Sequence, residues 1–279
     1  MLSRASLADI PLEVQAAIRA RLEAIERAEN LRVVLAVESG SRAWGFASPD
    51  SDYDVRFLYV RRLEDYAALI PPRDVIERPI EDALDLSGWD LRKALVLGLK
   101  WNPALVEWLT SPIVYRESGW EAAALRKLFA RPMGREALIR HYYGLAQKQF
   151  ARHVDGRTAV DLKKYFYVVR PAAALLWLER RPEETPPMSL PDLLAGVRLP
   201  GDVAAAIGEL QRRKSGTSEF GEGARVAALD GFCGERMAWA RANLGPAAPA
   251  RDPALARAAA AVFHAAVFGR GAPGDYRRN

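Results

Sequence analysis

Three clusters of side chains in the first third of this 279-residue chain carry the residue types that chemistry needs. The first is Asp52-Tyr53-Asp54, at the entrance to an apolar run. Side chains alternate along a strand, so Asp52 and Asp54 are expected on one side. Two adjacent carboxylates repel each other and are costly unless a cation lies between them. Hard divalent ions prefer such oxygen donors, and magnesium commonly combines a few carboxylates with substrate phosphates. An isolated Asp-x-Asp is more often an exposed acidic turn, so the pair needs support from elsewhere in the chain. An EF-hand through Asp50, Asp52 and Asp54 fails, because Val55 stands where the loop needs glycine and Arg61 where it needs glutamate.

The second cluster is Gly40-Ser41, directly after another apolar run, with Gly45 close behind. A Gly-Ser turn at a strand end can present backbone N–H groups and a hydroxyl to phosphate oxygens. It is not a P-loop, since no Gly-Lys-Ser or Gly-Lys-Thr follows. The third cluster is Leu84-Asp85-Leu86, where an aspartate interrupts an apolar strand pattern. Such a carboxylate needs a partner, and a shared metal would serve. Asp90 competes for that place, but a role as helix N-cap already accounts for it.

The elements that must position these residues follow from periodicity. Val14, Ile18, Leu22 and Ile25 recur at helical spacing over 11–29. Residues 31–38 read as a buried strand, 39–45 as a turn, 48–52 as a polar loop and 53–60 as a second strand. A short helix is expected near 64–69, stopped by Pro71-Pro72. Two further strands, 75–80 and 83–87, flank Glu81-Asp82. Helices then begin after Asp90 and at Pro103. Beyond about residue 116 strand signals stop, and helices are expected over 117–130, 135–153, 158–180, 200–213, 222–243 and 252–268, with Ser189 capping a short one. The organisation expected is an α/β domain over 1–116 with a short mixed sheet, followed by an all-α domain over 117–279.

The segment GSRAWGFASPDSDYDVRFLYV resembles the Gly-Ser…Asp-x-Asp signature of the DNA polymerase β-like nucleotidyltransferase superfamily. LDLSGWDLRKAL, NPALVEWLTSPIVY and LKKYFYVVRP extend the likeness to a bacterial RNA-repair-associated family of that superfamily, the RlaP type, over about residues 33–195. The resemblance implies that Gly40, Ser41 and the neighbouring Arg42 bind the triphosphate. It also implies that Asp52, Asp54 and Asp85 hold two magnesium or manganese ions. Two metals about 3.5–4 Å apart can clamp the attacking and leaving oxygens of an in-line displacement. Asp85 would then serve the acceptor hydroxyl, and Asp52 and Asp54 the triphosphate. The reaction implied is transfer of a nucleoside monophosphate from a nucleoside triphosphate to an acceptor, an RNA end first. Nucleotidylation of a protein or small molecule, and a non-catalytic RNA- or nucleotide-binding module, are the alternatives.

Charge is split along the chain. Residues 1–118 hold 15 Lys+Arg against 19 Asp+Glu, and residues 119–279 hold 25 against 16. A basic half suits a polyanion such as RNA, although a solvated basic surface has the same composition. On the helix expected at 158–180, Lys163, Tyr167 and Arg170 fall on one face beside an apolar stripe, with Lys164 as a substitute. That face could stack a base and hold phosphates, or be an ordinary solvated surface. Trp44, Trp89, Trp101 and Trp108 could also stack bases, but core packing is their commoner role. One cysteine and three histidines, in no zinc pattern, exclude an intramolecular disulfide and argue against zinc chemistry. Neither an apolar span of membrane length nor a signal-peptide core is present, so a soluble cytoplasmic protein is expected.

Overall fold

The structure is a computed structural model that describes residues 5–48, 50–130, 134–216, 221–245 and 252–271. Pro49, in the expected polar loop, lies outside them. After a 3-10 turn at Leu7–Asp9 comes α1 (Leu12–Glu29), whose Ile18, Leu22 and Ile25 are buried. Asn30 ends it in the left-handed conformation at φ 50°, a place suited to asparagine. Then come β1 (Arg32–Glu38), β2 (Tyr53–Val60), α2 (Leu63–Ala67), β3 (Val75–Glu77), β4 (Leu84–Asp90), α3 (Leu91–Gly98), α4 (Pro103–Leu109), β5 (Val114–Glu117) and α5 (Glu121–Leu128).

The five strands form one mixed sheet in the order β3-β4-β2-β1-β5. β2 and β4 run parallel, and the other pairs are antiparallel. One face carries Val55, Phe57, Tyr59, Leu84 and Leu86, which pack with the α1 residues into a single apolar core. Strand alternation then turns Asp54, Arg56, Asp85 and Ser87 to the opposite face. Gly88 is required by close approach: a Cβ there would stand 2.2 Å from the Phe57 ring. Asp90 accepts the Arg92 N–H at 2.7 Å and caps α3. Asn102 caps α4 with Pro103 in its first turn.

The remaining helices are α6 (Arg135–His153), α7 (Tyr165–Arg180), α8 (Leu190–Gly196), α9 (Gly201–Gly216), α10 (Ala227–Ala242) and α11 (Pro253–Val267), with short strands β6 (Ala159–Asp161) and β7 (Glu222–Ala224). Ser189 caps α8 as expected. In α7, 13 of 16 residues are buried, which makes it the central helix among α6, α8 and α10.

The division of the chain differs from the expected break at 116/117. Two compact units form, one from residues 5–131 and 250–279 and the other from 132–249. Residue 116 falls inside β5, which pairs with β1, so the sheet needs residues past that point. α5 packs on β1 and α4, and α11 returns to pack on α3 and α5. The second unit is helical but not purely so, since β6 and β7 pair antiparallel. The helix expected at 158–180 starts later, because residues 159–161 are strand and Leu162–Lys164 a 3-10 turn. No described helix is long and apolar enough to cross a membrane.

Candidate active site

The site is built where β1 ends and where β2 and β4 begin side by side. Parallel pairing sets Asp54 opposite Asp85. Both aspartates therefore share one face and one level of the sheet. Their carboxylates converge on a single nitrogen: Arg56 Nη2 donates to Asp85 Oδ2 at 2.7 Å and to Asp54 Oδ1 at 3.2 Å. Both side chains are only about one-third exposed. Burial raises the Asp54 carboxyl above its ordinary range; Arg56 opposes this, and the charges of Asp85 and Asp52 add to it. Asp52 precedes β2 and is exposed.

Gly40 opens the turn, against the same carboxylate. A Cβ on Gly40 would lie 1.7 Å from Asp54 Oδ2, so only glycine admits the aspartate there. Ser39 N–H donates to the Asp54 carbonyl at 2.9 Å, which locks the turn to β2. Trp44, Gly45 and Phe46 donate their N–H groups back to Gly40, Arg42 and Ser41 carbonyls, giving one helical turn. Among the described residues, no acceptor takes the N–H of Ser41, Arg42 or Ala43. Such a row of donors at the start of a turn suits phosphate oxygens. The Ser41 side chain belongs to a largely buried residue, 8% exposed. Arg42 stacks on the Tyr53 ring at 3.8 Å and donates to the Ser51 and Asp52 carbonyls. It ties the turn to the acidic loop.

Two supports of the site escaped the sequence reading. Arg56 is one; the signal was its position two residues after Asp54, on the same face of the strand. Glu38 is the other. It is fully buried, accepts the Asp54 N–H at 2.9 Å and the Tyr115 hydroxyl at 2.6 Å, and burial pushes its carboxyl up to about 7. A glutamate closing an apolar strand was the available signal.

Asp90 is not part of this cluster. It sits at the far end of β4, opposite Tyr59, with Asp85 opposite Asp54. Five residues of strand separate the two aspartates, about 17 Å. Asp90 is held by the Arg92 N–H and the Tyr66 hydroxyl.

The face expected at Lys163, Tyr167 and Arg170 does not form as such. Arg170 is 2% exposed and its Nε donates to the Met188 carbonyl at 2.9 Å, because α7 is buried nearly all round. Lys163 belongs to the 3-10 turn before α7, and Tyr167 is half-buried with Lys164 Nζ 5.1 Å from its ring centre. Trp101 and Trp108 are buried. Trp89 packs on Trp108 at 4.0 Å, and Trp44 lies 5.7 Å from Phe46.

Among the described residues, no group of three or more His, Cys, Asp or Glu gathers as a preformed metal cage. Asp54 and Asp85 nonetheless fit a divalent ion in donor chemistry. They are two converging, partly buried carboxylates with a third nearby, and magnesium rarely asks the protein for more than one or two.

Comparison with known proteins bears on the same stretch of chain. The family model described as "RNA repair pathway DNA polymerase beta family" (RlaP) matches residues 14–263. An uncharacterized protein of Bacillus subtilis (strain 168), YcgL, is 44% identical over 211 residues, covering 76% of this chain and 80% of that protein. A nucleotidyltransferase-like protein from Exiguobacterium sibiricum 255-15 is 15% identical, over 83% of this chain and 74% of its own, with a TM-score of 0.26. The family model spans the turn after β1, both acidic strands and the helices of the second unit, and on it and the Bacillus relative the chain belongs to the RNA repair pathway DNA polymerase beta family.

Proposed function

We propose that this protein is a divalent-metal-dependent nucleotidyltransferase that transfers a nucleoside monophosphate from a nucleoside triphosphate to a hydroxyl at an RNA end. The observation that carries the reading is the convergence of Asp54 and Asp85 beside a turn whose first N–H groups are unused among the described residues. Asp54, Asp85 and Asp52 would hold magnesium or manganese, which neutralises phosphate charge and makes the acceptor hydroxyl a better nucleophile.

The chain's own groups divide the work. The turn at 41–43 offers backbone donors to the triphosphate, and Arg42 adds a fixed positive charge beside it. Gly40 touches Asp54, so Asp54 belongs with the triphosphate. Asp85 is one strand further from the turn, in the order β4-β2-β1, and belongs with the acceptor. The acceptor hydroxyl gives up its proton to solvent, its oxygen forms a bond to the α-phosphorus, the bridging bond to the β-phosphate breaks, and pyrophosphate leaves. Catalysis is chiefly positioning and charge stabilisation. RNA as acceptor is supported by the family's description and by the excess of Lys and Arg beyond residue 118.

The test is incubation with each labelled nucleoside triphosphate, magnesium or manganese, and RNA. Label on RNA, lost in Asp54→Asn and Asp85→Asn, is expected. Label on a protein or small molecule instead would replace RNA as the acceptor. No transfer to anything would leave a binding module.

A further inference from the structure

Arg56 makes more contacts with the acidic pair than any other side chain described. Besides both carboxylates, its Nη1 donates to the main-chain carbonyls of Asp85 at 2.9 Å and Val55 at 3.1 Å. The side chain is 19% exposed. Two carbonyl anchors hold the guanidinium where it is, whatever occupies the carboxylates. Its planar fork can serve four acceptors at once, which a lysine ammonium on a flexible stem cannot do in the same plane. It uses Asp54 Oδ1 and Asp85 Oδ2. Asp54 Oδ2, against Gly40, and Asp85 Oδ1 have no hydrogen bond to it.

We propose that Arg56 is a positioning residue that holds Asp54 and Asp85 convergent ahead of ion binding, and that leaves to the divalent ion the two carboxylate oxygens it does not bond. Without it, two facing carboxylates repel and turn apart. The part that concerns the ion rests on the proposed function; the part that concerns the aspartates rests on the contacts alone.

A double-mutant cycle separates the two. Melting temperatures are measured for the whole protein in EDTA, with Arg56→Gln placed in the native background and in an Asp54→Asn/Asp85→Asn background. In the native background the substitution is expected to lower the melting temperature by about 5 °C or more, given the 2–4 °C per kcal/mol typical of domains near this size. In the neutral background most of that loss should disappear, since no repelling pair remains to be held. Manganese added to Arg56→Gln should restore most of the loss, and a manganese titration should show weaker binding than in the native protein. Arg56→Lys, which keeps the charge without the fork, should fall between the two and carries the same cycle if Arg56→Gln does not fold. An equal loss in both backgrounds would overturn the proposal, leaving Arg56 a packing residue. Background dependence without any manganese effect would keep the positioning role and overturn the divalent reading instead.

Discussion

The two ends of the parallel pair β2 and β4 both hold an acidic side chain, and they are built for opposite purposes. At the entrance, Asp54 and Asp85 share one arginine and face a turn with unused N–H groups among the described residues. At the exit, Asp90 is 3% exposed and committed to the α3 cap and the Tyr66 hydroxyl. Burial raises the carboxyls of both Asp54 and Asp90, so a raised carboxyl alone does not mark a site. What separates them is the partner. Asp90 is answered by local donors that end a helix. Asp54 faces a second carboxylate, an arrangement that local structure has no use for.

The comparison breaks most visibly through the charges. Asp54→Asn or Asp85→Asn is expected to lower nucleotide transfer by about a thousandfold, while the melting temperature changes little. Losing a metal-holding carboxylate removes several kcal/mol of charge stabilisation, and each ~1.4 kcal/mol is a factor of ten. Arg56 keeps one charged partner in either variant, which limits the cost to the fold. Transfer at the native rate by either variant would remove that aspartate from the site.

Gly40→Ala tests the close approach rather than the charge. A Cβ 1.7 Å from Asp54 Oδ2 must displace the carboxylate or the turn. Displacement by about 1 Å commonly costs about a hundredfold in rate, so transfer should drop by that order with the fold retained. Circular dichroism with a transfer assay would check it, and full activity would mean that Asp54 has room to move without consequence.

At the other end the expected effect lies in stability. Asp90→Ala removes an N-cap and the acceptor of the Tyr66 O–H, whose oxygen keeps only the Arg61 N–H, a loss of about 2–3 kcal/mol. The melting temperature should fall by about 5–10 °C. Transfer per folded molecule, measured well below that temperature, should stay native. A variant as stable as the native protein but inactive would reverse the roles of the two ends.

The smallest effect sharpens the turn. Ser41→Ala should weaken triphosphate binding by about tenfold, near the lower bound for a hydrogen bond to a charged acceptor. The backbone donors of the same turn carry the rest. Unchanged affinity would assign the phosphate contact to the backbone alone.

Much of this was legible from residues in order. The strand pattern of 53–60 and the apolar neighbours of Asp85 singled out Asp54 and Asp85 as aspartates of strands before any pairing was known. Asp90, Pro103 and Ser189 announced three helix starts, because a cap or a first-turn proline acts within three residues of itself. β5 was missed because Val114–Glu117 is four residues long with two charges, too short to show a period, and its strand character comes from pairing with β1. α11 reads as a helix from its own pattern, but nothing local says which unit it joins; that follows from packing on α3 and α5. Arg170 was misread because a helical wheel places a charge on an outer face, whereas α7 has no outer face to offer.

By itself the sequence determined most of the element types around the site, the candidate aspartates, and the family, since all of these depend on neighbours a few residues apart or on motifs in order. Only the tertiary structure decided that Asp85 and not Asp90 stands beside Asp54, that Arg56 joins the two, and that Gly40 must lack a side chain. The contacts of Gly40 with Asp54, Arg56 with Asp85 and Asp54 with Asp85 join residues 14, 29 and 31 positions apart, and they exist only once the pairing of β2 with β1 and with β4 sets the register. Periodicity records which way a side chain points; register records what it meets.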